Sequence, residues 1–554
     1  MQRIAQVLII GAGPVGMTLA IDLASRGVSS HIIEIRREGD SPSVKCNHVA
    51  ARSMEIFRRL GIAASIRDAG LPADYPQDVS YRTTTTGVEL ARIRIPSRAE
   101  RFTEKDDGPD GWWPTPEPPH RINQIYLEPI LARAVAAHPL ISIRYRAEAT
   151  GFTQEDSGVT VKGHDLDTGE SFSIKGDFLI GCDGGRSPTR HAIGAKLHGD
   201  AVIQRVQSTD IRAPDLLDRL KARPAWAMFS LNPRRTGNVY AIDGRERWLV
   251  HNYLRPEDAD FESVDRDTCI RAILGVGDDF PFEIINKEDW FGRRLVSDKL
   301  RQDRVFICGD AAHLWVPYAG YGMNAGIADA ANLAWMLAAY LNGWAPYEIL
   351  EAHEAERLPI TEQVSHFAMN HAVAMARQRG SVPEEIEDDS PAGEEARAQL
   401  GRQAYDLNVQ QYCCAGLNFG YYYDRSPIIA YDGARQPAYS MADYTPSTVP
   451  GCRMPHFWLD DGRSLYDAIG NGFAFLSLDE GLDTAPLEQA ATHAKIPFVS
   501  LAIDRRLLQL DEPVEHGLLI VRPDQHVAWR GSELPQDCRL LVSLLVGGES
   551  ATVG

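Results

Sequence analysis

The sequence predicts a mixed α/β fold built in three parts, and three observations predict it. A short apolar run, Val7-Leu8-Ile9-Ile10, leads into Gly11-x-Gly13-x-x-Gly16 and then into helical spacing, so the chain opens with a βαβ unit. Between about residues 202 and 254 the pattern turns to several β-rich runs broken by Pro, Gly and charged clusters, as an inserted mixed or antiparallel sheet requires. From about Gly451 onward strand-like and helical runs alternate again, which marks a separate small α/β domain.

A chain of 554 residues exceeds what one hydrophobic core organises, and 44% hydrophobic with 24% charged residues is ordinary globular content. The net charge of −19 opposes broad attraction to nucleic acid or to an anionic membrane, so neither is expected as a partner. The eight cysteines show no CxxC pair and no zinc-type spacing. They read as reduced thiols, and no metal site or disulfide framework is expected. The first apolar run is too short for a signal peptide, and no segment approaches the ~20 apolar residues of a membrane span. A cytoplasmic protein is expected.

In the opening unit a strand over 5–10 is followed by a helix over 17–26, with apolar residues at Val15, Leu19 and Leu23 and with Gly27 placed to end it. A second strand over 31–34 ends at Glu34. Asp167-Thr168-Gly169 centres a hairpin of strands 160–164 and 171–174, and Phe178-Leu179-Ile180 reads as a buried strand. Strands over 225–231, 238–242 and 248–254 fill the inserted sheet. Val305 to Cys308 is another buried strand, followed by Gly309-Asp310 and a helix over about 325–340. Residues 350–408 are helical and polar, interrupted by the acidic run 384–389, which reads as a solvated loop. Strands over 474–478, 498–503 and 517–521 belong to the C-terminal domain.

The glycine motif has a physical purpose when it joins a strand to a helix. Gly11 permits the tight turn, Gly13 lets backbone approach a pyrophosphate, and Gly16 allows close helix packing, while Pro14 and Val15 open the helix whose N-terminus faces the phosphates. Glu34, about 20 residues further on, can accept both hydroxyls of an adenosine ribose. The unit is therefore Rossmann-like, and Glu34 alone does not distinguish FAD from NAD.

Later motifs make that distinction. Gly181-Cys182-Asp183-Gly184-Gly185-Arg186-Ser187-Pro188-Thr189-Arg190, Cys308-Gly309-Asp310-Ala311-Ala312-His313 and Pro317 to Gly326 resemble the further fingerprints of the FAD-dependent aromatic hydroxylases, the group A flavoprotein monooxygenases. The resemblance implies that Asp310 binds the ribityl or pyrophosphate part of FAD, and that Gly320 and the amides around Gly322, Met323 and Asn324 face the flavin ring. It assigns Asp183 and Arg186 to FAD or pyridine-nucleotide contacts, or to shaping their turn. Gln124 is carried over from a helix whose Gln contacts the flavin. The stretch Lys45 to His48, before Arg52, lies where the family has an Arg-Ala pair touching FAD, with Lys45 in the place of that Arg and without its planar fork; Lys45 and Arg52 are expected to bind the cofactor and Asn47 to be catalytic.

For the substrate, period-two geometry puts Leu249, His251 and Tyr253 on one strand face, which the family turns toward the flavin. Relatives often carry an Arg that matches His251, so a carboxylate-anchored substrate is disfavoured and a phenol hydrogen-bonded by His251 and Tyr253 is expected. The Pro317 carbonyl is a further partner for the phenolic proton. The C-terminal segments Pro450 to Pro455, Asp461 to Asp467 and Val521 to Asp524 resemble the thioredoxin-like domain of the phenol hydroxylase branch, without the CxxC that thiol exchange needs.

The expected organisation is thus a discontinuous FAD domain (1–75, 100–190 and 285–350), an inserted β-sheet substrate domain (76–99 and 191–284), a helical connection (351–430) and a thioredoxin-like domain (431–554). By resemblance the protein uses NADPH or NADH, O2 and a flavin C4a-hydroperoxide to hydroxylate a small phenolic substrate ortho or para to its hydroxyl, as a homodimer. Two alternatives remain open: the same flavin chemistry on a larger polyketide or antibiotic, including Baeyer–Villiger insertion, and a flavin-binding protein without monooxygenation.

Overall fold

A computed structural model describes residues 4–45, 47–103, 108–316, 318–479, 482–508, 510 and 514–548. Val7–Ile10 is a central strand of a six-stranded sheet whose order runs Arg301–Gln302, Val305–Ile307, Phe178–Gly181, Val7–Ile10, Ser30–Ile33, Ile141–Arg144. Apart from the antiparallel edge strand Arg301–Gln302, neighbours pair in parallel. Parallel strands covered on both faces need continuous apolar runs, and Val7, Leu8 and Ile9 are fully buried. Helix Pro14–Ser25 begins with Pro at its first turn, ends where Gly27 takes φ +81, and packs on the long helix Tyr321–Leu341. The expected hairpin forms, and a third strand, Ala147–Glu155, joins it.

The second sheet has eight strands in the order His313–Trp315, Glu283–Ser297, Leu197–Arg212, Arg247–Tyr253, Gly237–Ala241, Ala227–Ser230, Val79–Arg82, Glu89–Ile93. Glu283–Ser297 pairs with Leu197–Arg212 over most of its length. This corrects the expected boundary, because residues 285–297 belong to this sheet and not to the nucleotide-binding one. Charged residues on both faces of Glu283–Ser297 hid its alternation from the sequence pattern. Helices Glu351–Gly380 and Pro391–Tyr412 are more than a connection: Ala368, Ala372, Met375, Leu400 and Ala404 share a core with Val79, Tyr81 and Ala227 of the sheet. The acidic run is likewise not a plain solvated loop. It forms a short 3-10 turn, Glu384–Glu387, in which Ile386 is fully buried and Glu387 pairs with Arg234.

The C-terminal sheet runs Phe498–Ala502, Phe473–Ser477, Leu518–Val521, Val527–Gly531, with the first pair parallel and the others antiparallel, in a thioredoxin-like arrangement with helices Ala485–His493 and Cys538–Leu545. It meets the rest of the chain through buried charges. Arg522, fully buried, donates from both terminal nitrogens to Glu356 of helix Glu351–Gly380, the Nη2 bond being 2.9 Å, and also pairs with Asp524 at 2.6 Å. Arg52 of helix Ala51–Arg59 donates to the Asp524 carbonyl at 2.6 Å, and Glu55 of that helix is held between Arg52 and Arg453. Among the described residues no helix is long and apolar enough to cross a membrane.

A buried ion pair is costly to break because the surviving partner keeps its desolvation penalty. Arg522→Ala strands Glu356 and Asp524 and is expected to lower stability by about 3–5 kcal/mol, read as a fall in the urea midpoint. A loss below about 1 kcal/mol would show that the network behaves as a solvated surface pair.

Candidate functional site

A cleft of about 550 Å³ runs between the six-stranded sheet and the eight-stranded one. At its first end Gly13, Pro14 and Val15 line the wall, with Cys182, Gly184, Cys308 and Asp310 beside them. Gly11, at φ +103, sits against the Cys182 carbonyl, and Gly16 against the Gly11 carbonyl, so a Cβ at either would collide at 2.3 or 2.1 Å. Gly13 differs: a Cβ there would meet no protein atom within 4 Å and would project into the cleft. Farther along, Gly320, Gly322 and Met323 line the wall where helix Tyr321–Leu341 begins.

Two helix N-termini therefore open on one cleft. Neither has an acidic residue in its first turn nor a side-chain cap, so both leave backbone N–H groups available to an external anion. This is the chemistry a dinucleotide pyrophosphate and the electron-rich edge of a flavin ring require, and the residues present fit such a group. Asp310 faces the cleft, while the protein around it desolvates its carboxyl and raises its pKa. Behind it, Asp329 accepts from Gly309 N at 3.2 Å and from His313 Nε2 at 2.8 Å, and pairs with Arg357 at 2.9 Å. His313 in turn stacks on Trp315 of the cleft wall at 4.6 Å. The sequence reading missed Asp329 and Arg357, since nothing in local spacing connects them to the Gly309 turn.

Other expected residues are placed as follows. Glu34 accepts from Ala12 N at 2.6 Å and Arg36 N at 2.8 Å, and is itself buried. Arg36, which was not singled out, covers it, bonds Glu128 at 2.9 Å and lines the cleft. Gln124 lines the cleft at the start of helix Gln124–Ala137, capped by Asn123, and bonds Glu128 at 2.5 Å. Asn47 lines the cleft and accepts from Asn123. Lys45 lines it and pairs with Glu288 of the eight-stranded sheet, bridging the two walls.

One reading needs correction. The Arg52 guanidinium does not face the cleft, because Glu55, Gln525 and the Asp524 carbonyl hold it at the C-terminal domain. Of the two roles left open for Asp183, the geometry supports turn-shaping, since its carboxylate accepts from Thr189 N at 3.0 Å. The Asn324 side chain staples Ala50 N (2.9 Å), the His48 carbonyl (3.1 Å) and the Gly320 carbonyl, and its backbone stands at the helix N-terminus, as expected of that amide. Pro317 lies outside the described residues.

At the far end, Leu249, His251 and Tyr253 share one wall, as their spacing predicts. The neighbouring strand adds Asn238 and Tyr240, and Asn238 Nδ2 donates to the hydroxyls of Tyr253 (2.8 Å) and Tyr240 (3.3 Å). Each hydroxyl thus spends an acceptor on Asn238 and keeps its proton free to donate. Burial raises both tyrosines, Tyr240 to about 12 and Tyr253 well above its ordinary value, so both stay protonated. Burial pushes His251 down to about 4, and its ring packs edge-on between Tyr240 (5.4 Å) and Trp290 (5.8 Å). Trp226, Phe229 and Tyr412 complete an aromatic enclosure.

Comparison with known proteins gives a consistent result. Residues 4–368 match the family model described as FAD binding domain, and residues 447–545 match the aromatic-ring hydroxylase C-terminal domain. The FAD-dependent monooxygenase apdD of Emericella nidulans is 32% identical over 95% of this chain and 88% of its own length. Phenol 2-monooxygenase of a Pseudomonas species is 29% identical over 96% of this chain and 90% of its own. Among solved structures, the rebeccamycin biosynthetic enzyme RebC with reduced flavin superposes with a TM-score of 0.88 at 32% identity, covering 98% of this chain and 99% of that one.

Two outcomes are expected. Gly13→Val should fold, since its side chain meets only open cleft, yet lose bound FAD; full flavin absorbance after purification would place the pyrophosphate elsewhere. His251 titrates near 4 when folded against 6.5 in the open chain, so its contribution to stability is intact above about pH 6.5 and is lost as pH falls toward about 4. His251→Leu should therefore flatten the acid limb of the Tm–pH profile, and an unchanged limb would show that the imidazole is solvated.

Proposed function

Because this chain belongs to the FAD-dependent aromatic-ring hydroxylases, NAD(P)H-dependent flavoprotein monooxygenases, we propose that it hydroxylates a phenolic ring within a fused, several-ring substrate in preference to a simple phenol. The observation that carries this reading is the aromatic enclosure at the far end of the cleft. Trp226, Phe229, Tyr240, Tyr253, Trp290 and Tyr412 come from several elements and offer stacking surface on several sides of the space before His251. A single ring would leave much of that apolar surface wet, whereas a fused ring system would bury it. One relative to which this chain is similar over nearly its whole length is the rebeccamycin biosynthetic enzyme, and that likeness to a biosynthetic enzyme supports a substrate larger than a simple phenol.

FAD, reduced by NAD(P)H, supplies the electrons and the activation of O2, one oxygen atom entering the ring and the other leaving as water. The chain's own share is placement. Tyr240 and Tyr253, oriented by Asn238, donate to a phenolic oxygen and favour its anionic form, which enriches the ortho and para carbons. Neutral His251 is a hydrogen-bonding wall and a weak base, so loss of the phenolic proton relies on stabilisation of the oxygen more than on abstraction by the imidazole. The Lys45–Glu288 bridge ties the sheet to the nucleotide side.

Turnover with hydroxyanthraquinones against phenol and catechol, monitored by NAD(P)H oxidation and product mass, tests the reading. Polycyclic compounds should be hydroxylated with the higher kcat/KM, and better turnover of phenol would reverse the assignment. Tyr253→Phe should lower kcat/KM by about two- to ten-fold, the worth of one hydrogen bond, with more hydrogen peroxide released and FAD content unchanged.

A further inference from the structure

The cleft contains a cation with no counter-charge. Arg121 lines it and is only 2% exposed, yet its Nε and Nη2 atoms have no hydrogen-bond partner. No ion pair to Arg121 occurs among the described residues. Other deeply buried arginines are satisfied: Arg52 and Arg453 share Glu55, Arg357 has Asp329, Arg522 has Glu356 and Asp524, and Arg190, which has no ion pair among the described residues, donates to the Ala311 and Gly185 carbonyls. Arg121 instead stacks over the Trp226 ring at 4.7 Å, with Tyr412, Cys413 and Cys414 around it. Burial pushes the guanidinium down to about 10, which leaves it charged at neutral pH.

Its position is built. The segment is pinned by the bridge between Val49 and His120 and by Asn123, whose side chain caps the helix that follows. The aromatic neighbours place the guanidinium among the substrate-side walls, away from the Gly11–Gly16 turn. A buried guanidinium whose N–H groups lack acceptors carries a desolvation cost that an arriving anion would offset. Its planar fork suits two parallel oxygens.

We infer that Arg121 binds a carboxylate carried on the aromatic substrate, so that the enzyme selects aromatic acids over their neutral analogues. The inference rests on the reading that the cleft takes an aromatic substrate. It reverses the expectation drawn from His251: the strand position lacks an arginine, and the segment leading into helix Gln124–Ala137 supplies one.

The test titrates FAD-loaded enzyme with 3-hydroxy-2-naphthoate and with its methyl ester, following the flavin absorption spectrum. The wild type should bind the acid about ten- to hundred-fold more tightly than the ester, as expected for charged hydrogen bonds. Arg121→Gln and Arg121→Met should abolish that preference, Arg121→Lys should keep part of it, and all three should retain FAD. The Tm of the ligand-free Arg121→Met holoenzyme should be unchanged or higher, because an uncompensated charge is removed. Absence of an acid preference in the wild type, failure of the acid to bind, survival of the preference in Arg121→Gln, loss of FAD, or a lowered Tm in Arg121→Met would each overturn the inference. Failure of the parent reading looks different: an intact acid preference, lost with Arg121, in an enzyme that hydroxylates no aromatic compound.

Discussion

The architecture depends on one point of contact where side chains have no room. A Cβ on Gly326, in the long helix, would lie 2.6 Å from a Val15 methyl and 2.8 Å from the Gly309 Cα, and a Cβ on Gly16 would lie 2.1 Å from the Gly11 carbonyl. The backbones at Gly309 and Gly326 thus meet directly, and the side chain of Val15, about three hundred residues earlier in the chain, closes the junction. Close-packed interiors do not deform continuously, so this contact fixes where both helix N-termini open. The cleft, the donors at its first end and the distance to the aromatic wall all follow from it.

Around that junction the rest of the chain is arranged as cover. The eight-stranded sheet supplies the far wall, and its strand Gly237–Ala241 brings Asn238 and Tyr240 beside His251 and Tyr253. The buried Asp329 group ties the Gly309 turn to helix Glu351–Gly380, which also holds Arg522 of the C-terminal domain through Glu356. Catalytic geometry and domain docking therefore share one helix.

Much of this was legible in the sequence because it is local. Glycines before a helix, a carboxylate at a strand end and alternate residues of one strand each carry their meaning within a few positions, which is why Gly13, Gly322 and the Leu249, His251, Tyr253 face were readable. What was not legible depends on partners far along the chain. Arg52 resembled a cofactor ligand until its contacts with Asp524 and Gln525 were known, and Glu283–Ser297 hid its strand character because both faces carry charge. Asn238 and Tyr240 could have been found by extending the period-two argument to the adjacent strand. Arg121 could not, since the lack of a counter-charge is a property of the folded surroundings and not of any motif.

The salt bridges between the C-terminal domain and the remainder also bear on how such a protein can change over generations. Glu55 and Arg453, or Glu356 and Arg522, are useful only as pairs, and they sit on opposite sides of a domain boundary nearly four hundred or more than one hundred and sixty residues apart. A C-terminal domain recombined from a relative would arrive with arginines matched to other carboxylates, and each mismatch would bury a lone charge. The two parts are thus bound to co-inherit: the outer domain, though it touches no reacting atom, can be replaced only together with the helices that receive it.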